Sequence, residues 1–367
     1  MPLSSAKRAW IAIAVVILVF GIALVAIFLH SARHLSEPQA VVSPEVPVYV
    51  PSPQQKAETH SVMSEFPGGA TGIAYLDVDA LRKMPSSPVA AILGLTRGAP
   101  PSQDPDYQQF VRGTGFDYAR DLSRAAVAFW PATGNKAVQD LNSSRFFIVA
   151  DGKFNAKKIE AYALKWGKSL EKGGRTIYSV PGMPDVAFEF TSPTRITLAS
   201  GHDPVDLLLR PRSTVDPALQ ARIDRVAGAP LFAVARTDAL PNSFYDNFKN
   251  APQVESLARS VKTLTLAAQP VSENLAVELV GETASMKDSL AITTLLEISR
   301  MAASMALSDP KTTAQMTKDQ SAFLSALIAK LQIARKDRAV HIQFDVTPAM
   351  LGIGAPESSH AASTAAH

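Results

Sequence analysis

Cysteine is absent from the 367 residues. Its absence removes disulfides, thiolate nucleophiles, iron–sulfur clusters and every cysteine-based zinc site. Charge is also sparse: 19% of residues are charged, against about 25% in ordinary globular domains. Disordered and coiled-coil chains are richer in charge, so neither class describes the bulk of this one. Thirty-six Lys and Arg against 33 Asp and Glu leave +3, and with no evident basic patch this excludes a nucleic-acid partner. G-x-S-x-G, Walker A, G-x-G-x-x-G and H-E-x-x-H motifs are all missing.

Long apolar runs are equally scarce, with one exception. Residues Trp10 to Leu29 form 20 consecutive positions without a charge, and at 1.5 Å per residue such a helix spans about 30 Å, the thickness of a bilayer core. Lys7 and Arg8 precede it and Arg33 follows, a balance that favours a cytoplasmic N-terminus. A cleaved signal peptide is disfavoured, because its apolar region would run only about 7–15 residues. The expectation is therefore a single-pass signal-anchor in a bacterial cytoplasmic membrane, with no second spanning run and everything after it extracytoplasmic. A cysteine-free chain with one N-x-S sequon, at Asn142, fits that compartment better than a disulfide-rich eukaryotic surface.

The remaining order follows from composition. Residues 1–9 are a cytoplasmic N-terminus and 10–29 the lipid-bilayer contact. Residues 30–65, with Pro38, Pro44, Pro47, Pro51 and Pro53, read as a Pro-rich linker. Two folded units are expected at 66–228 and 229–348, and 349–367 as a disordered tail. The division rests on a repeat: IAYLDVDAL (73–81) and FAVARTDAL (232–240) share four of nine positions at an offset of 159. Alternating runs such as RFFIVADG and ENLAVELVG predict strands. The spacing of Ile159, Tyr162, Ala163 and Trp166 predicts a helix, and so does that of Phe323, Leu324, Leu327, Ile328 and Leu331. Each half then orders as β-α-β-β-α-β, so the expected class is α+β, with two tandem ferredoxin-like units and an extra hairpin in the first. A single larger sheet is the alternative. Ser87-Pro88, Asp104-Pro105, Asp203-Pro204, Asp216-Pro217 and Asp309-Pro310 mark helix starts, a cap residue followed by Pro.

Candidate chemistry is thin. Asp77 and Asp79 invite a hard cation, but only Asp79 has a counterpart, Asp238, while Asp77 aligns with Arg236. Capping by Asp79 and Asp238 is the preferred reading. In Gly115–Leu122, Arg120 or Arg112 paired with Asp117 or Asp121 ties down a loop rather than binding an anion. His202 and His341 have no ligand-spaced partners. Ser169-Leu-Glu-Lys172 matches S-x-x-K at a polar helix end by chance, and Met286, Met301, Met305 and Met316 read as core. No catalytic, cofactor-binding or metal residues are assigned, and no cofactor is expected.

AYLDVDALRKMPSSP (74–88) followed by FVRGTGFDYARDLSRAAVAF (110–129) resembles bacterial membrane-anchored extracytoplasmic proteins. In them a strand leads into D-x-x-x-L-R-x-x-P and then T-G-F-D-x-x-R-D-L. The resemblance implies an envelope location and transfers no activity or site. The function expected is a non-catalytic, membrane-anchored envelope protein whose α+β modules engage a protein or cell-surface partner. The alternative is an extracytoplasmic hydrolase or small-ligand or lipid binder with its site between the units. A periplasm-active phosphatase fused after Glu65 should be active and a cytoplasm-active reporter there silent; the reverse pattern would overturn the orientation.

Overall fold

A computed structural model describes residues 50–83, 104–130, 145–180, 183–213, 215–239, 245, 252–271, 274–309 and 318–347. The anchor, most of the linker, Ser87-Pro88 and the tail lie outside the described residues. The described elements begin with α1 (Pro53–Met63), β1 (Gly72–Asp77), α2 (Val78–Arg82), α3 (Pro105–Thr114) and α4 (Tyr118–Asp121). It continues through β2 (Leu122–Trp130), β3 (Arg145–Gly152), α5 (Ala156–Trp166), β4 (Ser169–Lys172), β5 (Arg175–Val180), β6 (Met183–Ser192) and β7 (Arg195–Ser200). Then come α6 (Pro204–Leu209), α7 (Pro217–Val226), β8 (Leu231–Arg236), a 3-10 turn (Thr237–Ala239) and α8 (Pro252–Ser260). The last elements are β9 (Val261–Val271), β10 (Asn274–Thr283), α9 (Met286–Ser308), α10 (Lys318–Lys330), β11 (Gln332–Lys336) and β12 (Ala339–Val346).

All 12 strands form one sheet in the order β11-β12-β10-β9-β8-β1-β2-β3-β7-β6-β5-β4. Every neighbouring pair is antiparallel. The class is therefore α+β around one large antiparallel sheet. The ferredoxin-like expectation does not hold. In a split βαβ unit the helix-linked strands leave a gap that a third strand fills. Here β1 and β2, and likewise β8 and β9, are direct neighbours, because the helical connection returns the chain to the end of the sheet it left.

The repeat is visible at the centre. Residues 73–77 and 232–236 are both strand, each followed by a helical turn, and they pair with each other. Ala74 lies opposite Ala233, its own counterpart at the offset of 159, so Ile73↔Val234 and Tyr75↔Phe232 exchange places about a local two-fold. Tyr75 and Phe232 stack there at 5.1 Å, both essentially without solvent access.

Side-chain alternation gives the sheet two unlike faces. On face A, α1, α6 and α7 press Val62, Leu207, Leu208, Leu219 and Ile223 onto Ile73, Tyr75, Phe147, Ile177 and Phe232. On face B, the second core holds Leu81, Phe116 and Ile159 from the first half, and Val277, Ala303, Leu327, Ile328 and Phe344 from the second. Residues 53–63, expected as linker, form helix α1 instead. Ser52 accepts from Gln55 N in a capping box, Pro53 is the first helical residue, and the buried Thr59, Val62 and Met63 sit under it. The Lys172–Arg175 turn places Gly173 and Gly174 at φ 62° and 72°, the left-handed pair a two-residue hairpin needs.

Face A also contains a buried carboxylate. Glu189, 2% exposed, accepts from Arg175 Nε at 2.7 Å and Thr197 Oγ1 at 3.0 Å, with Arg212 Nη2 at 3.4 Å. Arg212 also approaches Glu65 at 3.6 Å, and Arg195 joins Glu65 to Asp151. Three cations and three anions thus tie the end of α1 to β3, β6 and β7. Removing one partner of a buried pair strands the others, so Glu189→Ala should cost about 3 kcal/mol in chemical denaturation, the low end of the range because both guanidiniums keep some contact with water.

Candidate functional site

The first strand-to-helix turn carries the most conspicuous acids, and the structure reassigns them. Asp77, not Asp79, caps α2: its Oδ1 accepts from Ala80 N at 2.8 Å. Asp79 pairs with Arg82 Nη1 at 2.5 Å, and Arg82 also donates to Ala119 O and Leu122 O. Asp238 pairs with Arg236 in the 3-10 turn. The expectation that Asp79 is a cap is therefore wrong; Asp79 and Asp238 share an ion-pair role with different arginines. Burial pushes the Asp77 carboxyl above its ordinary range, with Arg124 Nε 3.8 Å away and held in turn by Glu58 at 2.6 Å. Among the described residues no three His, Asp or Glu converge as a metal site.

Arg120 binds Asp121 through Nε at 2.9 Å and Nη2 at 2.7 Å, and also reaches Gly115 O. Asp117 caps α4 by accepting from Ala119 N, and takes a hydrogen bond from the Tyr107 hydroxyl at 2.9 Å. The aromatic, charged loop is a structural knot, as expected. Ser169–Lys172 is not a helix end but edge strand β4, exposed throughout. Of the expected helix starts, Asp104 and Asp216 cap in the usual way. Asp203 has φ 53° and makes no cap, its carboxylate lying 2.6 Å from His202. Asp309 is the C-cap of α9, and the helix start expected at Pro310 lies outside the described residues.

Two features of the second half were not foreseen. The face A core stops at Ala267 on β9. Beyond it Glu278 of β10 and His341 and Gln343 of β12 stand on the same face, with Glu278 directly opposite Gln343. Glu278 Oε1 lies 2.9 Å from His341 Nδ1 and 3.0 Å from Gln343 Nε2, which donates to it. His341, by its hydrogen bond, and then Gln343 hold the Glu278 carboxyl below its usual value despite burial. The side chains of Glu278 and His341 keep 32% and 26% of their surface. The arrangement fixes the imidazole with Nδ1 toward the carboxylate and leaves an ordered polar group at the surface. The period-two spacing of His341 and Gln343 contains this signal; their meeting with Glu278, 63 residues earlier, does not follow from spacing.

The second feature is α9, whose 23 residues are long and apolar enough to cross a membrane by composition. The expectation of no second such run is corrected accordingly. The helix is packed on face B through Ser289, Leu296, Ser299, Ala302 and Ala303, while Met286, Leu290 and Met305 are 58%, 54% and 62% exposed. The core reading fails for Met286 and Met305, and Met316 lies outside the described residues.

No protein-family model and no curated protein sequence matches the chain. Solved structures of a protein designated TP0453 are similar in outline. Its crystal form III aligns at TM-score 0.42 and 11% identity over 79% of this chain and 95% of that one, and crystal form I at 0.42 and 12% over 79% and 94%.

Losing a side-chain cap costs about 0.5–2 kcal/mol. Asp77→Ala should lower stability by that amount, and Asp79→Ala, which removes a half-exposed ion pair, by less than about 0.5 kcal/mol. Neither loss should respond to Mg²⁺ or Ca²⁺ in thermal melts. A carboxyl raised by folding is best accommodated when protonated, so the stability of wild type relative to Asp77→Asn should improve as pH falls from 7 through the raised pKa toward the ordinary carboxylate range.

Proposed function

We propose that the chain is a non-catalytic envelope protein, held in the cytoplasmic membrane by residues 10–29, whose folded part is an extracytoplasmic interaction module. The observation that carries this reading is the asymmetry of face A. Helices α1 and α6 cover its first half and α7 the central strands, reaching Glu282 at one end of β10 through Arg222, whereas Glu278, His341 and Gln343 of β10 and β12 have no described helix in the face A core above them. A sheet face that ends in ordered, half-exposed polar groups suits recognition of another protein's polar surface. The alternative, a hydrolase or small-ligand or lipid site between the two units, would have to lie on a face of the sheet, because β1 and β8 join them through a continuous ladder from Gly72↔Ala235 to Leu76↔Leu231.

A photo-crosslinking residue at Gln343 in the full chain, irradiated in intact cells, should give one discrete adduct. The adduct should disappear in Glu278→Arg and be absent when the crosslinker replaces Leu170 on β4. Equal adducts from both positions, or none from 343, would defeat the assignment of the partner face.

A further inference from the structure

The corner where α9 meets the β11–β12 hairpin combines two properties that are separate in the sequence. Two apolar side chains, Met286 and Leu290, lie one turn apart at the start of α9 and are more than half exposed. The hairpin turn beside them carries Arg335, Lys336, Asp337 and Arg338, all exposed, and Lys287 is exposed on α9 itself. Hydrogen bonds fix the juxtaposition: Ser289 Oγ donates to Asp337 O at 2.9 Å, and Thr283 N and Oγ1 donate to Arg338 O at 2.8 and 2.9 Å. Asp337 turns the hairpin at φ 53°. The two acids here are Asp337 and Asp288, the latter already accepting from Ser285 Oγ at 2.8 Å. Four cations against two anions leave this corner at +2 around an apolar tip.

We propose that this corner is a peripheral contact with an anionic lipid bilayer. Apolar tips flanked by Lys and Arg suit an interface where side chains enter the headgroup region and cations meet acidic lipid. The argument uses the proposed anchor only for proximity. From Leu29 to Val50 the chain has about 20 residues, which at 3.3 Å each reach at most about 65 Å. That is enough for a tethered fold to lay this corner on its own membrane. The contact leaves Glu278, His341 and Gln343, on the opposite face of the sheet, free for a partner.

Because the chain lacks cysteine, a single Leu290→Cys carries one environment-sensitive fluorophore without further substitution. The full-length protein is placed in nanodiscs of phosphatidylcholine alone or with one-third phosphatidylglycerol, both containing a headgroup-region lipid quencher. The expected result is quenching at position 290 only in the anionic discs and reversed by high salt, with no quenching of a label at Leu170→Cys on the far edge strand. Lys336→Glu with Arg338→Glu, on an exposed turn, should weaken the contact at least thirtyfold, the factor for two surface cations. No quenching at 290, equal quenching at 170, or equal quenching in neutral discs would each overturn the proposal. Incorporation of the chain into discs without quenching would do so while leaving the anchor intact.

Discussion

The pairing of β1 with β8 is the contact on which the rest of the architecture depends. Without it the chain would be two smaller sheets, each with an apolar strand exposed at its edge, a configuration prone to self-association. With it, Gly72–Leu76 and Leu231–Ala235 become the centre of a 12-stranded sheet. The ladder extends past both strand ends, through Asp77 N to Pro230 O at 2.7 Å and Arg236 N to Thr71 O at 2.8 Å. The stacked pair Tyr75–Phe232 fills the middle of face A. Residues at the two-fold on face B are small, Ala74 and Ala233, and partly buried. The seam also brings α1 and α7 together, since Gly228 N donates to Thr59 Oγ1 at 3.1 Å and His60 lies 3.8 Å from Asp224.

A chain with only 19% charged residues spends many of them on fastening. Glu189 is the clearest case, because a carboxylate at 2% exposure is tolerable only with its oxygens occupied, and Arg175, Arg212 and Thr197 occupy them. Arg222 performs the same service on the other side of the seam, bonding Thr263 Oγ1 at 2.9 Å and Glu282, so that α7 is tied to β9 and β10. These ties fix helices against the sheet rather than assemble reactants. They are the reason most acids that look chemically promising in the sequence turn out to have structural partners.

Strand alternation and helical spacing are local properties, and they located most elements near their observed positions: RFFIVADG in β3, ENLAVELVG in β10, Ile159 and Ala163 inside α5. The short edge strand β4 reads as a helix end because four residues show too little periodicity to separate. Connectivity was misjudged for a different reason. The order β-α-β-β-α-β is compatible with several sheet orders, and only the long-range ladder selects one. Asp77 and Asp79 were confused because a cap is defined by where the helix begins, and one residue decides it. The polar group on face A joins strands 63 residues apart, so the sequence shows its members but not their meeting.

Both surfaces lie where the two halves of the sheet are covered differently. Helices α1 and α7 each carry Pro at the first position, Pro53 and Pro217, and both lie on face A near the two-fold. The first unit then adds α6, whose Leu207 and Leu208 seal face A over β6 and β7. No counterpart of α6 occurs among the described residues of the second unit, so the equivalent part of face A must be tolerable in water. Its outward positions are accordingly Glu278, His341 and Gln343 rather than leucines. On face B the second unit departs in the other direction: its long α9 is more apolar than its packing against the sheet requires, and the surplus emerges at Met286, Leu290 and Met305. A sheet whose halves were equally covered would expose neither surface. The departures from symmetry are therefore the places where the fold retains chemistry that its own stability does not use.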